Sequence, residues 1–187
     1  PVQSPADALH ELARENPDHP YALAGIEELF EAIDALKGLC EAAGYPLHGS
    51  LEQNWLLPTA LGTVRPTCLA PETMIAGDLR TPGKMLLVGF EGFPDFYPEL
   101  AADNLRSLGV EIAWVLLDIP SLDKQHFITG RVLAGRSDTP EFRSEVIREL
   151  KNRMGDSGAE RIGFPAVLGW NKPLEVKTDL ERRLDLP

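Results

Sequence analysis

The fold is decided by the stretch Lys84-Met-Leu-Leu-Val-Gly-Phe-Glu-Gly-Phe-Pro-Asp-Phe-Tyr-Pro-Glu-Leu100 and its continuation Val110-Glu-Ile-Ala-Trp-Val-Leu-Leu-Asp-Ile-Pro120. The short apolar run 85–88, ended by Gly89 and Gly92, is typical of a strand that is buried on both faces. Leucines then repeat at helical spacing up to Gly109, and a second apolar run follows. Two strands joined by a helix lie parallel in one sheet, and the crossover between them is right-handed. The sequence therefore predicts a parallel sheet.

Working outward from this unit, we predict an α/β fold with a small three-stranded parallel, Rossmann-like sheet and flanking helices. The strand 84–89 lies in its centre, between strands 110–117 and 162–168, because its residues are apolar on both faces. Period-two patterns on either side of the turn Ala60-Leu-Gly62 predict an antiparallel β-hairpin. Two amphipathic patterns before Gly44 predict two N-terminal helices.

We divide the chain into an N-terminal helical segment (1–47), a hairpin and connector (48–83) and a βαβαβα three-stranded unit (84–187). The sequence opens with Pro1 and ends at Pro187 in the middle of a pattern. We interpret it as an interior fragment of a longer polypeptide.

Composition excludes several classes of partner. The chain has 187 residues and a formal net charge of −11, which argues against nucleic acid because phosphate binding needs a basic surface. No apolar run is long enough to span a membrane.

Cys40 and Cys68 lack metal-ligand spacing and are predicted to be buried thiols of a reducing compartment. The four histidines are scattered, so no metal site is predicted; His19 and His48 are placed in turns, and the catalytic base is left open.

The glycines of Gly89-Phe-Glu-Gly92 follow a strand and precede a helix, which is the setting in which backbone N–H groups bind phosphate. The fingerprint G-x-G-x-x-G is absent, and Glu91 and Asp95 would repel an anion there. The turn is therefore either a phosphate-binding loop or a simple tight turn.

The returning hairpin strand carries the best candidate site. In an extended strand Thr63, Arg65 and Thr67 share one face. A guanidinium between two hydroxyls suits an anion or a cofactor, since Arg binds phosphate bidentately and Thr adds donors. The alternative is a solvated strand face on which Arg65 is incidental or pairs with a carboxylate such as Glu52 or Glu72.

Three stretches occur in a distinctive order: Asn16-Pro-Asp-His-Pro-Tyr21, Leu57-Pro-Thr-Ala-Leu-Gly-Thr-Val-Arg-Pro-Thr-Cys-Leu-Ala-Pro71 and Val88-Gly-Phe-Glu-Gly-Phe-Pro-Asp-Phe96. Together they resemble the B subunit of the anaerobic glycerol-3-phosphate dehydrogenase. The resemblance covers most of the chain, and it is densest between residues 16 and 120.

The resemblance implies a flavoprotein subunit that works with a catalytic flavoprotein subunit and an iron–sulfur membrane-anchor subunit. Such a complex oxidises sn-glycerol 3-phosphate to dihydroxyacetone phosphate and passes electrons to quinone. It implies FAD or FMN in the full-length protein, and a cytoplasmic location, peripheral at the inner face of the membrane through the anchor subunit.

The glycine-rich flavin-binding unit with which the family begins is missing from this sequence. The resemblance therefore implies an interior portion that is inactive alone and holds no flavin, with Thr63, Arg65 and Thr67 covering the flavin or substrate. Two other functions stay open: a non-catalytic module that docks the partner subunit or anchor, and a stand-alone flavodoxin-like nucleotide-binding domain that uses Gly89 and Gly92.

Overall fold

The computed structural model describes residues 4–122, 128–155 and 157–187 of the chain. They form two units: the first contains residues up to 57 and 64–78, and the second contains residues 58–63 and 79–187. From residue 4 to 78 the elements are α1 (Pro5–Glu15), α2 (Pro20–Ala24), α3 (Ile26–Ala42), β1 (Leu47–Gly49), β2 (Trp55–Pro58), β3 (Val64–Thr67), β4 (Leu69–Pro71) and α4 (Glu72–Ile75). From residue 79 onward they are β5 (Met85–Phe90), α5 (Pro98–Ser107), β6 (Ile112–Leu117), a 3₁₀ turn (Pro120–Leu122), α6 (Gly130–Ser137), α7 (Pro140–Met154), β7 (Arg161–Gly163) and α8 (Pro173–Leu184).

Two of the three N-terminal helices, α1 and α2, begin after a residue whose side chain accepts a hydrogen bond from the first turn. The Ser4 hydroxyl accepts a hydrogen bond from the Asp7 N–H at 3.1 Å, and Pro5 follows at the first helical position. The predicted helices are α1 and α3. The sequence between them, for which the pattern predicts only a break, also forms α2, because His19 Nδ1 accepts a hydrogen bond from the Tyr21 N–H at 3.2 Å.

The strands of the first unit form two small sheets. β2 and β3 are neighbours in a two-stranded sheet, which is the predicted hairpin. β1 pairs antiparallel with β4, with His48 opposite Ala70. Gly49 is required where the two sheets meet, since a Cβ there would lie 2.1 Å from the Cys68 carbonyl oxygen.

The second unit contains the predicted parallel sheet, in the order β6-β5-β7. β5 is parallel to both neighbours and all six of its residues are buried, so the central-strand prediction is confirmed. Gly89 lies against Pro98 of α5, whereas the next residue, Phe90, faces a small cavity that it lines together with Phe142 and Val146 of α7. Because successive strand residues point to opposite faces, α5 and α7 cover opposite faces of the sheet.

Four details differ from the sequence-based predictions. β7 ends at Gly163 instead of residue 168, because Pro165 cannot donate to a strand ladder. The sequence from His126 to Ala134 predicts a short helix, whereas α6 runs from Gly130 to Ser137; residues 126 and 127 lie outside the described residues. No residue of α3 is fully buried, although its apolar residues follow a helical period. Cys40 and Cys68 are free thiols, but both are only partly buried.

Candidate functional site

Arg65 lies on β3 and is exposed to solvent. Within the described part of the chain its guanidinium makes no hydrogen bond or ion pair. Of the two carboxylates that were possible partners, Glu72 lies next to His48 instead. The Arg65 guanidinium is therefore available to an anionic ligand.

The two threonines predicted to flank Arg65 use their hydroxyl groups locally. Thr67 Oγ1 donates to the Leu69 carbonyl oxygen at 2.9 Å. Thr63 Oγ1 lies 2.8 Å from Thr59 Oγ1, and these two hydroxyls share one hydrogen bond in the hairpin turn. Thr63 belongs to the second unit and the other two residues to the first, so the three do not cluster within one unit. Arg65 is the strongest of the three candidates for contact with a ligand.

The sequence predicts His48 in a turn, and this prediction is wrong because His48 lies in β1. Its Nε2 atom is 2.8 Å from Glu72 Oε2, although the direction of approach is not that of a hydrogen bond. Trp55 Nε1 donates to the His48 carbonyl oxygen at 3.0 Å, and Lys37 Nζ donates to the Gly49 carbonyl oxygen at 2.9 Å. The sequence did not indicate this contact, because the pairing of β1 with β4 brings together two residues that are far apart along the chain.

The turn after β5 is shaped by packing and by negative charge. Gly89 is buried inside the strand, and a Cβ there would lie 2.6 Å from Pro98 Cγ. Gly92 has φ +77°, and its carbonyl oxygen accepts a hydrogen bond from the Ile128 N–H at 3.2 Å. Glu91 and Asp95 are exposed in this turn. Both glycines therefore have a packing or turn role in this conformation, and phosphate binding by Gly89 and Gly92 stays a prediction.

A buried arginine links α7 to α8. Arg143 is 5% exposed; its Nε donates to Asp179 Oδ2 at 2.8 Å and its Nη1 donates to the Ser137 carbonyl oxygen at 3.0 Å. Its Nη2 lies 3.4 Å from Glu175 Oε1, a carboxylate on the exposed side. Three hydrogen-bonding directions of one guanidinium are used within the protein, so this group is structural and not a ligand contact.

Asp138 anchors the segment that leads into α8. Its carboxylate accepts hydrogen bonds from the backbone N–H groups of Trp170, Asn171 and Lys172, at 3.2, 2.9 and 3.1 Å, and from the Asn171 side chain. Burial raises the pKa of Asp138, but these hydrogen bonds outweigh burial and hold the pKa below its usual value. The carboxylate therefore fixes the segment as long as it is ionised.

Two classes of site are not found in the described part of the chain. Among residues 4–122, 128–155 and 157–187, no group of three or more His, Cys, Asp or Glu side chains is arranged to hold a metal ion. In the same residues, no helix combines the length and apolarity needed to cross a membrane.

Curated relatives share one name. A protein of Pectobacterium atrosepticum, the B subunit of anaerobic glycerol-3-phosphate dehydrogenase, is 32% identical over 194 residues, which cover 100% of this chain and 46% of the relative. The chain is homologous to this B subunit. The B subunit from Yersinia enterocolitica is 34% identical, covering 94% of the chain and 43% of the relative. A probable B subunit from Halobacterium salinarum is 32% identical, covering 98% and 44%.

The family resemblance predicted from sequence is thus confirmed by homology to the B subunit over nearly the whole chain. The chain spans less than half the length of these relatives. No family model and no solved structure matches it. The relatives' names describe one component of an oxidoreductase.

Proposed function

We propose that this chain is a region of the B subunit in an anaerobic glycerol-3-phosphate dehydrogenase complex, and that it contributes a surface that covers the flavin or the substrate. The observation that carries the proposal is the homology to named B subunits from end to end of the chain. The reaction proposed for the whole complex is oxidation of sn-glycerol 3-phosphate to dihydroxyacetone phosphate, with quinone as the electron acceptor.

The flavin of this proposal, FAD or FMN, does not fit the turn after β5. The pyrophosphate of FAD and the phosphate of FMN both need free N–H groups and a close approach of the backbone. Here Gly89 lies under Pro98, while Glu91 and Asp95 place negative charge at the turn. This poor fit supports the proposal that other parts of the full-length subunit hold the flavin, which supplies the redox chemistry.

Arg65 supports a role in binding a phosphate group. The net charge of −11 opposes the approach of any phosphate, so a local cation is needed at its binding point. Arg65 is the only lysine or arginine between Lys37 and Arg80, and its guanidinium has no competing partner in the described residues. We propose that Arg65 contacts the phosphate of the substrate or cofactor.

The second candidate function is a non-catalytic module that docks the catalytic flavoprotein subunit or the iron–sulfur anchor at the inner face of the membrane. The poor fit of a flavin pyrophosphate to the turn after β5 favours this candidate over a stand-alone flavodoxin-like domain. In the docking case, Arg65 would contact another subunit and would leave the affinity for glycerol 3-phosphate unchanged when it is removed.

The visible absorbance of bound flavin tests the proposal. We expect the full-length subunit that carries this region to be purified with flavin, and the 187-residue chain to be colourless, because the sequence lacks the G-x-G-x-x-G fingerprint of a pyrophosphate-binding turn. Circular dichroism of the same samples establishes that the chain is folded. Stoichiometric flavin on the folded chain, or a folded full-length subunit that cannot be loaded with FAD or FMN, contradicts the proposal.

A further inference from the structure

The outer edge of β6 is unpaired in the described part of the chain. β6 lies at one side of the sheet, with β5 as its neighbour. The N–H groups of Met85 and Glu91 donate to the carbonyl oxygens of Glu111 and Leu117, so the odd-numbered residues of β6 face β5. In a parallel ladder the residues between them present their N–H and C=O groups to the opposite side. Those residues are Ile112, Trp114 and Leu116.

One of these outward groups has a partner. The Ile112 carbonyl oxygen accepts a hydrogen bond from Arg106 Nε at 3.0 Å. The backbone groups of Trp114 and Leu116 have none among the described residues. The Ile112 N–H has none in that part of the chain either, so five backbone hydrogen-bonding groups, three donors and two acceptors, are left along this edge.

The side chains of β6 differ from those of edge strands that are exposed to solvent in other proteins. All six residues, Ile112-Ala-Trp-Val-Leu-Leu117, are apolar, and the Trp114 residue is 37% exposed. Exposed edge strands are normally short, charged or covered, because they otherwise pair with other chains. Continuous apolar strands are typical of positions with a neighbour on each side.

The other edge of the same sheet shows the usual protection. β7 has three residues, and the Ile162 N–H, on its outer side, donates to the Pro187 carbonyl oxygen at 3.0 Å. The contrast within one sheet indicates that the β6 edge is built to be covered.

A second copy of this chain is a poor occupant for the β6 edge. If two β6 strands paired antiparallel about a two-fold axis at Trp114, Glu111 of each copy would lie opposite Leu117 of the other, one residue away from Asp118. The two carboxylates would then approach each other at both ends of the strand pair and repel. The net charge of −11 opposes self-association as well.

We infer that a strand from the rest of the B-subunit polypeptide pairs with the outer edge of β6 and extends the sheet to four strands. More than half of each related B subunit lies outside the matched region, so enough polypeptide exists to supply it. The strand that fits has an apolar centre, which matches Trp114 and Leu116, and basic residues at its ends, which match Glu111 and Asp118. This inference rests on homology to the B subunit and not on the proposed redox role.

Hydrogen exchange of individual amides tests the inference, by comparing the full-length subunit with the 187-residue chain. We expect the Trp114 and Leu116 amides to exchange at least about 100-fold more slowly in the full-length subunit, because ladder hydrogen bonds open only with the strand pair. The Ile162 amide is the control, and we expect similar protection in both proteins. Equal, fast exchange of Trp114 and Leu116 in both proteins overturns the inference.

Two other outcomes also overturn it. Protection of these amides in the 187-residue chain that rises with protein concentration would make a second copy the occupant. Protection that appears in the full-length subunit only after the other subunits are added would make a partner protein the occupant.

A pair of variants gives a second readout. Trp114→Pro removes the outward N–H, whereas Trp114→Val keeps it. We expect both variants of the 187-residue chain to unfold at similar denaturant concentrations, because this N–H has no partner there. In the full-length subunit, we expect the proline variant to unfold at a clearly lower concentration than the valine variant. Equal behaviour of the two variants in the full-length subunit contradicts the inference.

Discussion

Replacing Asp179 with alanine is expected to destabilise the second unit by about 3–5 kcal/mol, because a buried cation then loses its main partner. Arg143 is 5% exposed and lies 2.8 Å from the Asp179 carboxylate. The other carboxylate near Arg143 belongs to Glu175, which is 3.4 Å away and half exposed, so it replaces little of the lost interaction. The measurement is the free energy of unfolding from denaturant titration.

Glu175→Ala is the matched control, since Glu175 lies one turn earlier on α8 and approaches the same guanidinium. Ion pairs with an exposed partner contribute about 0–1 kcal/mol, and we expect a loss in that range. Arg143→Ala should cost less than Asp179→Ala, because Asp179 keeps Arg182 and Arg183 nearby, at 2.7 and 3.6 Å. Equal losses for Asp179→Ala and Glu175→Ala would show that the buried pair does not dominate.

The same carboxylate gives the second unit a pH dependence. Burial raises the pKa of Asp179, but hydrogen bonds and charges from the surrounding arginines outweigh burial and lower the pKa below 3.8. A carboxylate whose pKa is lower in the folded state stabilises the fold fully above its unfolded pKa. We therefore expect this contribution to be lost as pH falls below 3.8. Asp179→Asn should unfold with a shallower acid dependence than the unmodified protein.

Arg65→Ala in the full-length subunit is expected to weaken binding of glycerol 3-phosphate or flavin by about 1.5–3 kcal/mol, which is roughly 10- to 150-fold. Hydrogen bonds to a charged group have this strength, and the Arg65 guanidinium has no partner in its own chain among the described residues. Arg65→Lys should recover only part of the affinity, since a point charge lacks the planar fork. Equilibrium titration with glycerol 3-phosphate and with flavin measures both effects.

Arg136→Ala is the control for this experiment, because Arg136 is another exposed arginine, on α6. We expect it to leave both affinities unchanged. Folding stability of Arg65→Ala should also be unchanged, since the side chain is exposed and makes no pair in the described residues. Lost stability with intact affinity would instead make Arg65 part of the scaffold and exclude it as a ligand contact.

The parallel sheet was predictable because its signals are local. The apolar run before Gly89, the leucines of the following helix and Gly109 lie within 26 residues of one another and leave one topology open. The length of β7 could not be predicted from sequence, because the run 162–168 is equally apolar on both sides of Pro165. Only the structure shows that pairing with β5 ends at Gly163.

The polar contacts were harder to predict, because they join residues far apart in sequence. Arg143 and Asp179 are 36 residues apart, and Asp138 reaches the backbone of Trp170. One signal was present in the sequence: Arg143 falls within the apolar stripe of its helix, a position that requires a partner. Arg65 was singled out from strand alternation alone, whereas the local use of the hydroxyls of Thr63 and Thr67 depended on turn geometry.

The most direct test of the account is electron transfer by the complete complex, reconstituted from purified subunits with and without the full-length subunit that carries this chain. The quantity measured is the rate at which a quinone analogue is reduced after glycerol 3-phosphate is added. We expect the rate to fall to the substrate-free background when this subunit is omitted and to return when the subunit is added back. An unchanged rate in the complex that lacks the subunit would contradict the account.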